Sequence, residues 1–165
     1  MSLQSTVHLA KVEPVYPYTV FTDDEIEQSI PERFEKQVRL CGDRLAIMSH
    51  TASFTYDGLN RTANRLARKI RDLRGDAGQA VALMFEHEAG VLAAMLGVLK
   101  AGKLYLVLDP SYPKDRLAYM LADSGAELVI TDSKKLSMVA QLSDGKKEII
   151  NLDHLEGTLS KENLG

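Results

Sequence analysis

The apolar positions of this chain change period along its length, and each change marks a different kind of element. In residues 1–28, Pro14, Pro17, the acidic run Asp23-Asp24-Glu25 and the lack of a sustained period predict an extended, loosely packed arm. Ser29-Ile30-Pro31-Glu32 then has the form of a capping box with proline in the first turn. The helix it opens carries Phe34, Val38 and Cys41 on one face and has Gly42 as its stop, so Cys41 is expected to face the core. Residues 44–49 and 53–56 are β-prone runs around the polar turn His50-Thr51-Ala52, which predicts a hairpin. Leu59, Ala63, Leu66, Ala67, Ile70 and Leu73 follow at spacings of three and four, the pattern of an amphipathic helix. Arg61, Asn64, Arg65, Arg68 and Lys69 fall on its expected solvent side.

From Ala80 onward, strand-like runs at 81–85, 104–108, 128–131 and 148–152 are separated by stretches long enough for helices. That rhythm predicts an α/β fold: a mostly parallel sheet built from successive βα units flanked by helices, preceded by a helix and a hairpin. Residues 104–108 are apolar throughout, as expected of a strand covered on both faces. The crossover helix at 88–101 is apolar nearly all round, with Ala93, Ala94, Gly97 and Ala101 small enough for close approach. The crossover helix at 114–124 enters through Pro113 and stops at Gly125. Residues 29–152 are thus expected to be the folded unit, and 153–165 a polar tail along which a longer parent chain continues.

Composition narrows the function classes. With 165 residues, 45% hydrophobic and 26% charged, the chain can bury one real core. Its net charge is −3 and its basic residues are interspersed with acidic ones, which argues against nucleic acid or an anionic membrane as partner. The basic face of the 59–73 helix is accordingly expected to be solvated. The single cysteine, Cys41, cannot form an internal disulfide, and no apolar run approaches the roughly 20 residues of a membrane span. The start Met1-Ser2-Leu3-Gln4 lacks a basic flank and an apolar stretch, so a cytoplasmic protein is expected.

Candidate chemistry is sparse. Phosphate-binding loops need bare backbone amides after a strand, but residues 81–85 lead into Glu86-His87-Glu88, whose carboxylates repel phosphate. His8, His50, His87 and His154 are widely separated and lack partners at metal-ligand spacing. No serine sits in a Gly-x-Ser-x-Gly elbow. No catalytic, cofactor-binding or metal-binding residue is assigned. One alternative is a stand-alone flavodoxin-like module of receiver type, with Asp109 as phosphoacceptor after an apolar strand, Thr131 ending the next strand and Glu86 as an acidic partner.

Two stretches are more specific than composition. Phe54-Thr55-Tyr56-Asp57-Gly58-Leu59-Asn60-Arg61-Thr62-Ala63-Asn64-Arg65-Leu66-Ala67 resembles the first core motif of adenylation domains. The stretch from Gly97-Val98-Leu99-Lys100-Ala101-Gly102 through Leu104-Tyr105-Leu106-Val107-Leu108-Asp109-Pro110-Ser111-Tyr112-Pro113, followed by Arg116-Leu117-Ala118-Tyr119, resembles the second. Order and spacing match over roughly residues 29–132. The chain is thereby identified as resembling the N-terminal part of an AMP-forming adenylation domain of the nonribosomal peptide synthetase type. It departs from the motifs at Gly58, where glutamate is common, at Lys103 and Leu104, where small residues are usual, and at Val107, where proline is usual.

The resemblance implies a parent ligase that uses ATP and magnesium. An amino acid carboxylate attacks the α-phosphate of ATP to give aminoacyl-AMP and pyrophosphate, and a carrier-protein thiol then takes the acyl group. The phosphate-gripping loop, magnesium glutamate, ribose aspartate and C-terminal lysine of that family are not found between Met1 and Gly165, and Lys100 does not match that lysine. The expectation is an inactive scaffold fragment with no cofactor of its own. Its partners would be the remainder of the domain, a carrier protein and an amino acid substrate. Bare surface on the 91–99 helix or the nearby sheet edge would make the fragment a homodimer or association-prone.

Lys100-Ala101-Gly102 reads as a helix end, with glycine at the left-handed position feeding a strand. Gly102→Val is expected to lower stability by about 1 kcal/mol or more. An unchanged thermal melting curve would count against that assignment.

Overall fold

The computed structural model describes residues 21–49, 52–86, 89–155 and 160–164. The first helix, α1 (Ile30–Cys41), starts as its capping box dictates: the Ser29 hydroxyl accepts from the Glu32 amide at 3.3 Å, and Glu32 accepts from the Ser29 amide at 2.8 Å. Its packing differs from the expectation. No residue of α1 is fully buried, and Cys41 is half-buried with its thiol donating to the Gln37 carbonyl at 3.0 Å. Gly42 keeps a right-handed conformation (φ −52°), so the helix ends without a left-handed cap. The hairpin forms from β1 (Leu45–Met48) and β2 (Ser53–Thr55), antiparallel and closed by the Ser49 amide on the Ala52 carbonyl at 2.8 Å. His50 and Thr51 of its expected turn lie outside the described residues.

The longest helix is α2 (Tyr56–Arg74), entered through Thr55, whose hydroxyl accepts from the Gly58 amide at 3.0 Å. It leads to β3 (Ala80–Met84), α3 (Ala89–Lys100), β4 (Leu104–Val107), α4 (Lys114–Asp123), β5 (Leu128–Thr131), α5 (Leu136–Ser143) and β6 (Glu148–Asn151). The four later strands form one parallel sheet in the order β4-β3-β5-β6. This is the expected α/β architecture, with α5 as a third crossover helix. Residues 1–20 of the expected arm, His87, Glu88 at the expected start of the first crossover helix, and 156–159 and Gly165 of the expected tail lie outside the described residues.

The order corrects one expectation. The run at 104–108 was read as covered on both faces, but β4 is the edge strand, and Leu104 is 68% exposed. The strand with the interior environment is β5, buried at all four positions between β3 and β6. An apolar run alone does not distinguish the two, because an edge strand can be apolar when something else is to cover it.

The sheet carries a layer on each face. On one side Leu66, Ala67 and Ile70 of α2 and Ala94 and Val98 of α3 pack on Val81, Leu83, Leu128, Ile130 and Ile150. On the other, Leu117 and Leu121 of α4 and Val139 of α5 pack on Ala82, Met84 and Val129. The odd and even residues of β3 thus feed different cores, as strand pleating requires. Gly97 lets α2 and α3 meet: a Cβ there would lie 2.8 Å from Leu66 Cδ2. Gly102 takes the left-handed conformation expected of it (φ +71°). Leu73, expected in the core, is 37% exposed.

Polar groups tie the outer segments down. Asn64, expected on the solvent side of α2, is fully buried: its Nδ2 donates to the Lys161 carbonyl at 2.8 Å and to Asn163 Oδ1 at 2.9 Å. Asn60 Nδ2 reaches the same Asn163 Oδ1 at 3.0 Å, and Arg68 Nη2 the Glu162 carbonyl at 2.8 Å. Residues 160–164 are thereby held against α2, with Leu164 packed on the core. Lys100, read as a helix-end cation, has a buried side chain paired with Glu35 of α1; burial pushes its pKa down, and Glu35 opposes this. Ahead of α1, Asp23–Glu25 form a 3-10 turn within the expected arm. Glu25 is buried against Lys36 at 2.5 Å and Arg33 at 2.9 Å, and accepts from the Thr22 amide at 3.2 Å.

Among the described residues, no helix is long and apolar enough to cross a membrane.

Two measurements check these contacts. Gly97→Val is expected to cost about 1–3 kcal/mol in denaturant unfolding by wedging α3 off α2; an unchanged midpoint would mean that the helices are not in close contact there. The hydrogen bonds from Lys36, Arg33 and Thr22 lower the Glu25 pKa from 4.5 to about 2. A depressed carboxylate stabilises the fold above its unfolded value and loses that contribution as pH falls through the folded one. The difference in melting temperature between wild type and Glu25→Gln is therefore expected to be full at neutral pH and to shrink between pH 4.5 and about 2.

Candidate functional site at the carboxyl edge of the sheet

The strand order brings a change of direction between β3 and β5. From β3 the chain passes through α3 to β4 on one side, and from β5 it passes through α5 to β6 on the other. Loops leaving the two strands diverge to opposite faces and leave a crevice at the carboxyl ends, the place where open parallel sheets bind ligands. A cleft of about 620 Å³ lies there, walled by Phe85, Val91, Met95, Val107 and Pro110, with Glu86, Asp109, Ser111 and Lys135 as its polar members. Its charged rim is joined by one ion pair, Lys135 Nζ to Glu86 at 2.5 Å.

The surrounding loops are stitched by backbone amides. The Asp109 carboxylate accepts from the Ser111 amide at 2.9 Å, closing a tight turn with the Tyr112 amide on the Asp109 carbonyl at 3.0 Å. Asp132 accepts from the Lys135 amide at 2.9 Å, and Asp153 from the Ser133 amide at 2.9 Å. That amide, together with the Ser133 hydroxyl, holds the Asp153 carboxyl below its ordinary value. Asn151 Nδ2 donates to Ser133 Oγ at 3.0 Å, so the loop after β5 is fixed to the end of β6. Here aspartates and serines at strand ends serve loop structure, and their only sequence signal is placement just after an apolar run.

Of the three groups of the receiver alternative, Glu86 and Asp109 line the same cleft, but Thr131 is withdrawn from it. Thr131 is buried and its hydroxyl donates to the Met84 carbonyl at 2.7 Å. Glu86 is paired with Lys135, and Asp109 follows the edge strand β4. Among the described residues no three His, Cys, Asp or Glu side chains are placed to hold a metal ion together. The donors present do not fit a magnesium–nucleotide site. Of the four histidines only His154 lies among the described residues, exposed beside Asn151.

Comparison with known proteins gives this scaffold its family. Residues 34–163 match the model of the AMP-binding enzyme family. Tyrocidine synthase 3 of Brevibacillus parabrevis is 36% identical over 140 residues, 84% of this chain and 2% of its own length. Bacitracin synthase 3 of Bacillus licheniformis is 40% identical over 108 residues, 66% of this chain and again 2% of its own. The crystal structure of the nonribosomal peptide synthetase FmoA3 in its alpha-methyl-L-serine-AMP bound form superposes with a TM-score of 0.72 at 29% identity, covering 82% of this chain and 15% of that one. The chain thus spans a small part of the proteins it matches. The matched residues contain both motif stretches, the hairpin and the whole parallel sheet, and the chain belongs to the AMP-binding enzyme family.

Proposed function

We propose that this chain supplies the N-terminal scaffold of an amino-acid-activating adenylation domain of the peptide-synthetase type, in the cytoplasm. The parent reaction would join an amino acid carboxylate to the α-phosphate of ATP, release pyrophosphate and pass the acyl group to a carrier-protein thiol. The observation that carries the reading is the 34–40% identity to peptide synthetases over 108 to 143 residues of this chain. Residues 29–152 are the scaffold unit in this reading, residues 1–28 an arm before it, and 153–165 a connection to the rest of the domain.

The geometry supports a scaffold rather than a complete site. Asp109, Asp132 and Asp153 hold loops, Glu86 and Lys135 hold each other, and Thr131 is locked to Met84. The groups that grip phosphates, bind magnesium and contact the reacting carboxylate would come from other residues of the domain.

The reading is tested by transplanting residues 29–152 into the matching part of tyrocidine synthase 3's homologous adenylation domain and measuring amino-acid-dependent ATP–pyrophosphate exchange. The chimaera is expected to retain the host's amino acid preference and exchange activity. A folded chimaera without exchange would overturn the scaffold role. The 165-residue chain alone is expected to give no exchange and no heat with Mg-ATP; micromolar binding would overturn its inactivity.

A further inference from the structure

Among the described residues no strand pairs with the outer side of β4, and that edge matches itself. Strand β4 pairs with β3 in unbroken register from Leu104 beside Ala80 to Val107 beside Leu83. The Leu104 amide donates to Gln79 at 3.2 Å and the Leu108 amide to Leu83 at 2.8 Å, so the even positions bond to β3. The peptide groups of Tyr105 and Val107 therefore point away from the sheet. Native edges are commonly protected by a proline, a bulge or an outward lysine. Here the register has no bulge, and the nearest lysine, Lys103, turns inward, 2% exposed with Nζ on the Ala77 carbonyl at 2.6 Å.

We propose that β4 is a docking edge for a second copy of this chain, paired antiparallel about a two-fold axis through Leu106. Tyr105 then exchanges both of its bonds with Val107 of the second copy, and the reverse pair does the same, so all outward groups of both strands are satisfied. The side chains agree. Tyr105 faces Val107, Leu104 faces Leu108 and Leu106 faces its own mate, all apolar pairs without a like-charge contact.

The flanking layers fit the same axis. α3 lies over β3 and β4, so with strands about 4.8 Å apart its two-fold mate sits about 10 Å away, a helix-packing distance. On the other face α4 exposes Tyr119 at its middle, carries Lys114, Asp115 and Arg116 at its start and ends at Asp123. A two-fold pairing uses up the β4 edge of both copies, so association through that edge ends at two chains. The inference concerns the 165-residue chain itself and does not depend on the activity proposed above.

The experiment uses the full chain in light scattering and amide hydrogen exchange across a concentration series. A mass twice the 18.2 kDa of one chain is expected, with the Tyr105 and Val107 amides slowing as concentration rises. Val107→Pro removes an outward donor without removing a bond to β3, and Tyr105→Lys puts a charge into the apolar pair. Each is expected to abolish the dimer while leaving the far-ultraviolet circular dichroism unchanged. A wild-type monomer at high concentration, a larger open assembly, or a dimer that survives both substitutions would overturn the proposal. So would Tyr105 and Val107 exchange rates independent of concentration.

Discussion

The close approach of α3 to α2 at Gly97 sets the geometry of one whole face. Leu66 is fully buried and lies where a Cβ at residue 97 would be, so α2 and α3 touch through a side chain on one helix and bare backbone on the other. The contact lets two helices share a sheet of only four strands. α3 covers β3 and β4, α2 runs beside it, and Leu66, Ile70 and Val98 fill one core with Val81, Leu83, Leu128 and Ile130. A longer side chain at residue 97 would widen the gap and leave apolar sheet surface uncovered, because packed interiors cannot stretch to fill a void.

Once α2 is fixed, it becomes the post to which the chain's later segment is tied. Asn60, Asn64 and Arg68 are spaced by four residues, so they line one stripe and reach 160–163 together. Three of their bonds go to main-chain carbonyls, those of Ser160, Lys161 and Glu162, which fix the path of the segment whatever its side chains. Asn60 and Asn64 keep buried Oδ1 atoms without a hydrogen-bond partner, a cost that the bonds from their Nδ2 atoms must offset. On the other flank, Lys100 and Glu35 join α3 to α1, and Glu25 joins the preceding turn to the same helix through Arg33 and Lys36. Helix α1 buries no residue fully, so its attachment relies more on these ion pairs and half-buried contacts than on a deep apolar face.

Local patterns were legible where neighbouring residues decide the outcome. The Ser29 capping box, the left-handed Gly102, the hairpin and the strand–helix rhythm each depend on a few adjacent residues, and each forms. What failed depends on partners far away in the chain. Asn64 looked solvent-facing because it is polar, and it is buried because 161–163 return to it. Leu104 to Val107 look interior because they are apolar, and they lie at an edge because β5 pairs with the far side of β3 and not with β4. Helix α5 escaped notice because its eight residues show a weak period between two stronger strands. The resemblance to adenylation domains came from motif order, a longer-range signal that periodicity does not contain.

The site was least legible, for a physical reason. At the carboxyl edge, Asp109, Asp132 and Asp153 each sit just after a strand, where a catalytic carboxylate would also sit. Their roles separate only by what they bond: each accepts a backbone amide of a residue two to three positions on or from the neighbouring loop. A carboxylate occupied in that way holds a loop rigid at the crevice where the sheet changes direction. Rigid loops at a switch point are what an active site requires of its frame. In the proposed adenylation domain the chain's contribution would therefore be positional. The chain itself presents a braced, apolar-walled edge, and the sequence of that edge records bracing rather than chemistry.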